Sequence, residues 1–131
     1  LESRRVLFRS ECLHARVRRD LWGYAPDETL DNDALIREEY KGIRPAPGYP
    51  ACPEHTVKRD MFRVLDAQEI GMDLTEALAM TPAASVSGFY LSHPDSTYFT
   101  LGKIGQDQVD DMVARSGEDR AFVERALAPN L

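Results

Sequence analysis

The residues with chemistry to offer crowd into one short run. Positions 44–55 read RPAPGYPACPEH: an arginine, a tyrosine, a cysteine and a histidine among four prolines and one glycine. Proline fixes φ and has no N–H to donate, so this run is neither a helix nor a central strand. It is a stiff, partly extended loop except at Gly48, whose backbone can take positive φ or let a ligand approach closely. The guanidinium of Arg44 suits a carboxylate, which it meets with two parallel hydrogen bonds; its bland role is to satisfy loop carbonyls. Ala46 offers a backbone with little side-chain obstruction. Tyr49 offers an amphipathic ring, although a tyrosine after a glycine is commonly loop packing. Cys52 with His55, and Cys12 with His14, have the short spacings of zinc ligands, but prolines stand on both sides of Cys52. Cys52 and His55 also have the residue types of a thiolate dyad, with no third orienting group or oxyanion loop in view. His55 is expected instead to help fix the loop.

The loop resembles the S-adenosylmethionine-binding loop in the activation domain of cobalamin-dependent methionine synthases. That family's Arg-x-x-x-Gly-Tyr pattern stands here as Arg44-Pro-Ala-Pro-Gly48-Tyr49. Tyr40-Lys-Gly-Ile-Arg44, Trp22-Gly-Tyr-Ala-Pro26, Ala84-Ser-Val-Ser-Gly88, Ser92-His-Pro-Asp-Ser96 and Ala128-Pro-Asn-Leu131 are similar to it as well, in the family's order. The similarity runs over residues 11–131.

The resemblance implies a site and a task. Arg44 would hold the carboxylate of S-adenosylmethionine, the Ala46 and Gly48 backbone its polar groups, and Tyr49 and Tyr98 its aromatic surface. Phe99 stands where the family often has a second tyrosine, so any contact from that hydroxyl is lost. Neighbouring strand residues also point to opposite faces, so Tyr98 and Phe99 do not meet a ligand alike. Glu38 matches a family acidic residue near the ligand, where a carboxylate balances the sulfonium; a glutamate in a Glu-Glu pair is ordinarily just solvated. The implied cofactors are S-adenosylmethionine and cobalamin, the latter bound mainly by another domain of the parent. Zinc belongs to a parent domain absent here. The implied partners are the cobalamin-binding domain of the same parent chain and flavodoxin or an equivalent reductase. The parent moves a methyl group from methyltetrahydrofolate to homocysteine, and its activation domain restores oxidised cobalamin by reductive methylation. Segment 80–84 and His55 are implied near the corrin.

By itself the chain is not expected to be catalytic. It has no Asp-x-His-x-x-Gly, the family's cobalamin-ligating motif, and His14, His55 and His93 do not supply one. The resemblance implies that the N-terminal half of the domain, with an aspartate on the ligand's amino group, is missing. Two other readings stay open: a stand-alone S-adenosylmethionine-binding module or reactivation subunit without catalytic activity, and a Cys-His hydrolase at Cys52.

The elements that must position these residues are legible from periodicity. Leu13, Val17 and Leu21 give one apolar helix face over residues 11–22, with Arg18 and Arg19 off that face and solvated. Asp31 or Asn32 caps a second helix through Glu39. Thr56 caps a third, along which Val57, Met61, Val64, Leu65 and Gln68 align, and Gly71 stops it. Residues 84–91 and 97–104 are rich in β-branched and aromatic types and are expected to form an antiparallel hairpin about a turn at residues 93–96. A weaker strand falls at 74–80. Val109, Met112 and Val113 mark a fourth helix; Phe122, Val123, Ala126 and Leu127 mark a fifth. The fold class is α+β, helices packed around a twisted antiparallel sheet. No Gly-x-Gly-x-x-Gly follows a strand, which argues against a Rossmann-type methyltransferase.

Composition narrows the classes further. The chain has 131 residues, 43% hydrophobic and 29% charged, which suits one globular domain or part of one. The formal net charge is −6, and residues 1–10 alone carry +2. An acidic remainder is a poor partner for nucleic acid, whose backbone calls for Lys and Arg. No apolar run reaches the roughly 20 residues that cross a bilayer, no secretory signal is visible, and two cysteines form no disulfide framework. The expected location is cytoplasmic. Residues 1–10, LESRRVLFRS, do not resemble the family, and their back-translation resembles a sequencing-library adapter. They are expected to be non-native, with residues 11–131 forming the C-terminal part of the activation domain.

Overall fold

The computed structural model describes residues 2–131, with side chains from Arg9 onward. The chain divides into two compact units: Leu1–Pro45 with Gly88–Tyr98, and Ala46–Ser87 with Phe99–Leu131.

The first unit is built on a long helix, α1 (Glu2–Arg16), which contains residues 2–10 of the segment expected to be non-native. It loosens into a π-type turn over Val17–Leu21, where the Trp22 and Gly23 N–H groups both donate to the Val17 carbonyl at 3.0 and 3.1 Å. The wider turn breaks the 3.6-residue period on which the apolar face was counted. Leu13 is 47% exposed and Leu21 63% exposed, while His14 and Arg18 are wholly buried. The expectation of a solvated Arg18 is therefore wrong. Its guanidinium donates twice to Glu28, at 2.6 and 2.7 Å, and lies 4.4 Å above the Tyr40 ring. A short helix, α2 (Asn32–Ile36), follows, and Asp31 caps it as expected by accepting from the Ala34 N–H at 2.8 Å.

The expected hairpin does not form. Residues 89–91 pair instead with 43–45: Ile43 and Leu91 exchange two 2.9 Å bonds, and the Phe89 N–H donates to the Pro45 carbonyl at 2.9 Å. Proline lacks a donor but keeps its acceptor, so a proline-rich run can still form one side of such a ladder. Gly42 makes this approach possible, because a Cβ there would lie 2.1 Å from the Leu91 carbonyl oxygen. The turn at 93–96 is present, closed by the Ser96 N–H on the His93 carbonyl at 3.0 Å.

The second unit holds helix α3 (Val57–Val64), a two-stranded antiparallel sheet of β1 (Asp73–Leu74) and β2 (Met80–Thr81), and helices α4 (Gln106–Ser116) and α5 (Arg120–Leu127). The strand expected at 74–80 is thus a bend between two very short strands, with its ends Leu74 and Met80 paired to each other. Glu54, not Thr56, caps α3, accepting from the Thr56 and Val57 N–H groups. Of the expected face Met61 is buried, but Val64 and Leu65 are exposed, and Lys58 and Phe62 are buried in their place. Lys58 reaches the Leu78 carbonyl with its ammonium at 2.9 Å, so its aliphatic stem lines the interior. Met61, Phe62 and Ala67 form one small core with Met72, Leu74 and Met80. The expected faces of α4 and α5 close a second core through Val109, Val123 and Leu127. The terminal Ala128-Pro-Asn-Leu131 run ties back to residues 101–104: Asn130 donates to the Leu101 and Gly102 carbonyls and accepts from the Ile104 N–H.

Among the described residues, no helix is long and apolar enough to cross a membrane.

Candidate functional site

In the first unit, Arg44 stands at the centre of a polar and aromatic cluster. Its guanidinium donates through Nη2 to the Glu11 carboxylate and through Nη1 to Nδ1 of His14 at 3.2 Å, and it lies 5.6 Å from the Tyr40 ring centre. Its backbone N–H donates to the Tyr98 hydroxyl at 2.9 Å, and that hydroxyl meets the Tyr40 hydroxyl at 3.3 Å. The structure thus brings together two of the expected site residues, Arg44 and Tyr98. Burial opposes the charge on Arg44, but the Glu11 bond and the nearby Tyr40 hold the guanidinium firmly protonated.

His14 is the hub on the helix side. Its ring stacks on Tyr90 at 5.0 Å, meets Tyr40 edge-on at 4.8 Å, and places Nε2 3.2 Å from the Tyr24 hydroxyl. Arginine only donates, so Nδ1 accepts from Arg44 and Nε2 carries the proton, donating to Tyr24. Burial, then the Arg18 and Arg44 charges, push the imidazole pKa down to about 3. Burial also raises the Tyr40, Tyr24 and Tyr90 hydroxyls, helped at Tyr40 by the bond with Tyr98. All these rings are neutral at pH 7, and the charges in the cluster are the pairs Arg18–Glu28 and Arg44–Glu11.

Glu38 does not join the cluster. It is exposed, its φ is +58°, and among the described residues its carboxylate has no hydrogen-bond partner. Glu11, His14, Tyr24, Tyr40 and Tyr90 are the participants that the sequence reading did not assign to this cluster. One signal was available: positions 11, 14 and 18 recur at helical spacing.

In the second unit, Ala46, Gly48 and Tyr49 make a tight turn. The Gly48 N–H donates to the Cys52 carbonyl and the Cys52 N–H to the Tyr49 carbonyl, each at 2.8 Å, and the Tyr49 N–H donates to the Ala46 carbonyl at 3.2 Å. Gly48 has φ +96°, and a Cβ there would sit 2.4 Å from Cε1 of His55. His55 therefore fixes the loop by filling the space that the glycine leaves, as expected. Tyr49 is 67% exposed and Phe99 55% exposed, so both rings are available. The turn borders an open cleft of about 720 Å³, walled by Pro50, Leu78, Leu101 and Phe122 and edged by Arg59 and Arg125. The Leu101 N–H donates to the Pro50 carbonyl at 2.9 Å, which anchors the second run of the expected hairpin to the loop.

The cysteine readings gain little. Burial, with Glu54 nearby, pushes the Cys52 thiol up, which disfavours the thiolate that a nucleophile needs. Among the described residues, no three His, Cys, Asp or Glu side chains gather as a metal ion requires.

Helices with a small antiparallel sheet define an α+β fold, and among the described residues there is no parallel, nucleotide-binding type of sheet. Residues 5–117 match the family described as vitamin B12 dependent methionine synthase, activation domain, and the chain belongs to that family. The matched span begins inside the 1–10 segment. A solved structure described as the MetH reactivation domain bound to AdoHcy is 58% identical, with a TM-score of 0.88. The similarity covers 93% of this chain and 38% of that one, so this chain spans well under half of its structural relative.

Proposed function

We propose that the chain binds S-adenosylmethionine and supports the reductive methylation of cobalamin in a methionine synthase. The observation that carries the reading is Arg44. Its half-buried guanidinium already holds a carboxylate, that of Glu11, at the head of the Arg44–Tyr49 loop. A ligand carboxylate suits the same charged donor. Gly48 adds a stretch of backbone with no side chain of its own, backed by the His55 ring. The relative named above was solved with S-adenosylhomocysteine, which is S-adenosylmethionine less its methyl group.

In this reading Arg44 binds the α-carboxylate, the Ala46–Gly48 backbone the remaining polar groups, and Tyr49, Tyr98 and Phe99 contribute surface. Glu38 is exposed and free to approach the sulfonium charge. Bound S-adenosylmethionine supplies an electrophilic methyl group for reduced cobalt. What the chain contributes is binding and orientation. His14, His55 and His93 are committed to packing or a turn, so cobalt ligation falls to another domain of the parent. A cobalamin-binding domain, flavodoxin or an equivalent reductase, and a cytoplasmic setting complete the proposal. It includes the view that residues 1–10 are non-native and that this chain alone makes no methionine.

Calorimetric titration with S-adenosylmethionine tests the reading. A saturable heat is expected below about millimolar ligand, the range of weak specific binding. No heat at that concentration contradicts it.

A further inference from the structure

Arg44 is gripped at both ends. Its backbone N–H rests on the Tyr98 hydroxyl at 2.9 Å, and its guanidinium donates through Nη1 to Nδ1 of His14 at 3.2 Å. The grip at the guanidinium is the informative one. The strongest partner for a guanidinium is a carboxylate, yet here an imidazole takes Nη1. That imidazole is wholly buried. Tyr90 stacks on it, Tyr40 meets it edge-on, and its Nε2–H is spent on the Tyr24 hydroxyl. The Tyr24 bond leaves Nδ1 bare, and the two packed rings fix the direction of its lone pair towards Arg44.

An imidazole lone pair fixes a donor without cancelling the charge behind it. A guanidinium has five donors, and His14 takes one of them, on Nη1. The Nε–Nη2 edge remains for two parallel bonds to a carboxylate, and the Glu11 carboxylate already sits on Nη2. Resting on the S-adenosylmethionine reading, we propose that His14 is a positioning residue, holding the Arg44 guanidinium in the orientation that takes the ligand's carboxylate. An arginine has many rotamers to lose on binding, and one ordered beforehand loses fewer. A carboxylate in place of His14 would compete with the ligand for the same charge, and an imidazolium would donate where an acceptor is needed. Buried between Arg18 and Arg44, His14 stays neutral and is neither.

Dissociation constants of S-adenosylmethionine for the whole chain at pH 7 test this. His14→Leu removes the acceptor and should weaken binding roughly three- to tenfold, the range for ordering one such side chain. His14→Asn puts an amide oxygen back near the Nδ1 position and should recover most of that loss. 5′-Methylthioadenosine lacks the amino-acid end and does not call on Arg44, so it should bind all three proteins alike. Undiminished binding of S-adenosylmethionine by His14→Leu overturns the inference. So does an equal loss in His14→Leu and His14→Asn, or an equal loss for both ligands, since each makes His14 packing only. A measurement on the wild type covers the case in which the variants do not fold. In its histidine ¹⁵N spectrum, Nδ1 of His14 should stay the bare nitrogen with and without ligand. A proton on Nδ1 in the complex overturns the inference. In all these cases the S-adenosylmethionine reading survives. If the wild type does not bind S-adenosylmethionine, that reading falls and this inference falls with it.

Discussion

Acid should unfold this protein through His14. The imidazole has no exposed surface, stacks on Tyr90 and accepts from Arg44, so it is neutral in the folded state with a pKa of about 3 against an ordinary 6.5. Between those values the unfolded chain binds a proton that the folded chain refuses. Stability contributed by neutral His14 is therefore complete above pH 6.5 and is lost as pH falls towards 3. Each pKa unit corresponds to about 1.4 kcal/mol, so the loss relative to pH 7 is about 2 kcal/mol at pH 5 and about 3 kcal/mol at pH 4. That is a large part of an ordinary domain stability of about 5–15 kcal/mol. Replacing His14 by Gln isolates the effect, since an amide can accept from Arg44 and donate to Tyr24 without titrating. Urea unfolding of both proteins from pH 7 to pH 4 is the assay. The wild type should lose stability more steeply, and the gap between the curves should change by those amounts. Parallel curves would refute the neutral, buried His14.

Gly48→Ala should cost about 1–2 kcal/mol from its left-handed φ, and more while the His55 ring is in the way; adding His55→Ala should remove only the second part, as read in a double-mutant cycle of thermal unfolding. Glu28→Gln strips the counter-charge from buried Arg18 and should destabilise by about 3–5 kcal/mol. Pairing it with Arg18→Met should restore most of that in chemical denaturation. Asn130→Ala removes two bonds to the Leu101 and Gly102 carbonyls and should cost about 1–2 kcal/mol, with amide exchange quickening around Ile104.

The helices were legible where apolar burial alone decides them. Val109, Val123 and Leu127 fall inside at the expected spacing because nothing in that core is charged. Asp31 capped its helix because the cap is a local matter. The reading failed on α1, where buried charges in pairs, Arg18 with Glu28, replace apolar side chains and a π-type turn shifts the faces. It failed on the hairpin because strand propensity names no partner. Residues 89–91 took the proline-rich loop through Pro45, whose missing N–H made it look unfit for pairing. Arg44 and Tyr98 in the first unit, and Gly48 in the second, were singled out from motif and residue type. The part that Glu11 and His14 play was not legible, because it arises only when α1 lies against residues 40–44, some thirty positions along the chain.

Arg44 is expected to take the carboxylate of S-adenosylmethionine. The most direct measurement is the dissociation constant of that ligand for the wild type and for Arg44→Ala, by equilibrium dialysis at pH 7. A charge-assisted hydrogen bond contributes roughly 1.5–3 kcal/mol, so the variant should bind roughly ten- to a hundredfold more weakly. Equal constants would contradict the account and leave Arg44 as a strut between α1 and the loop.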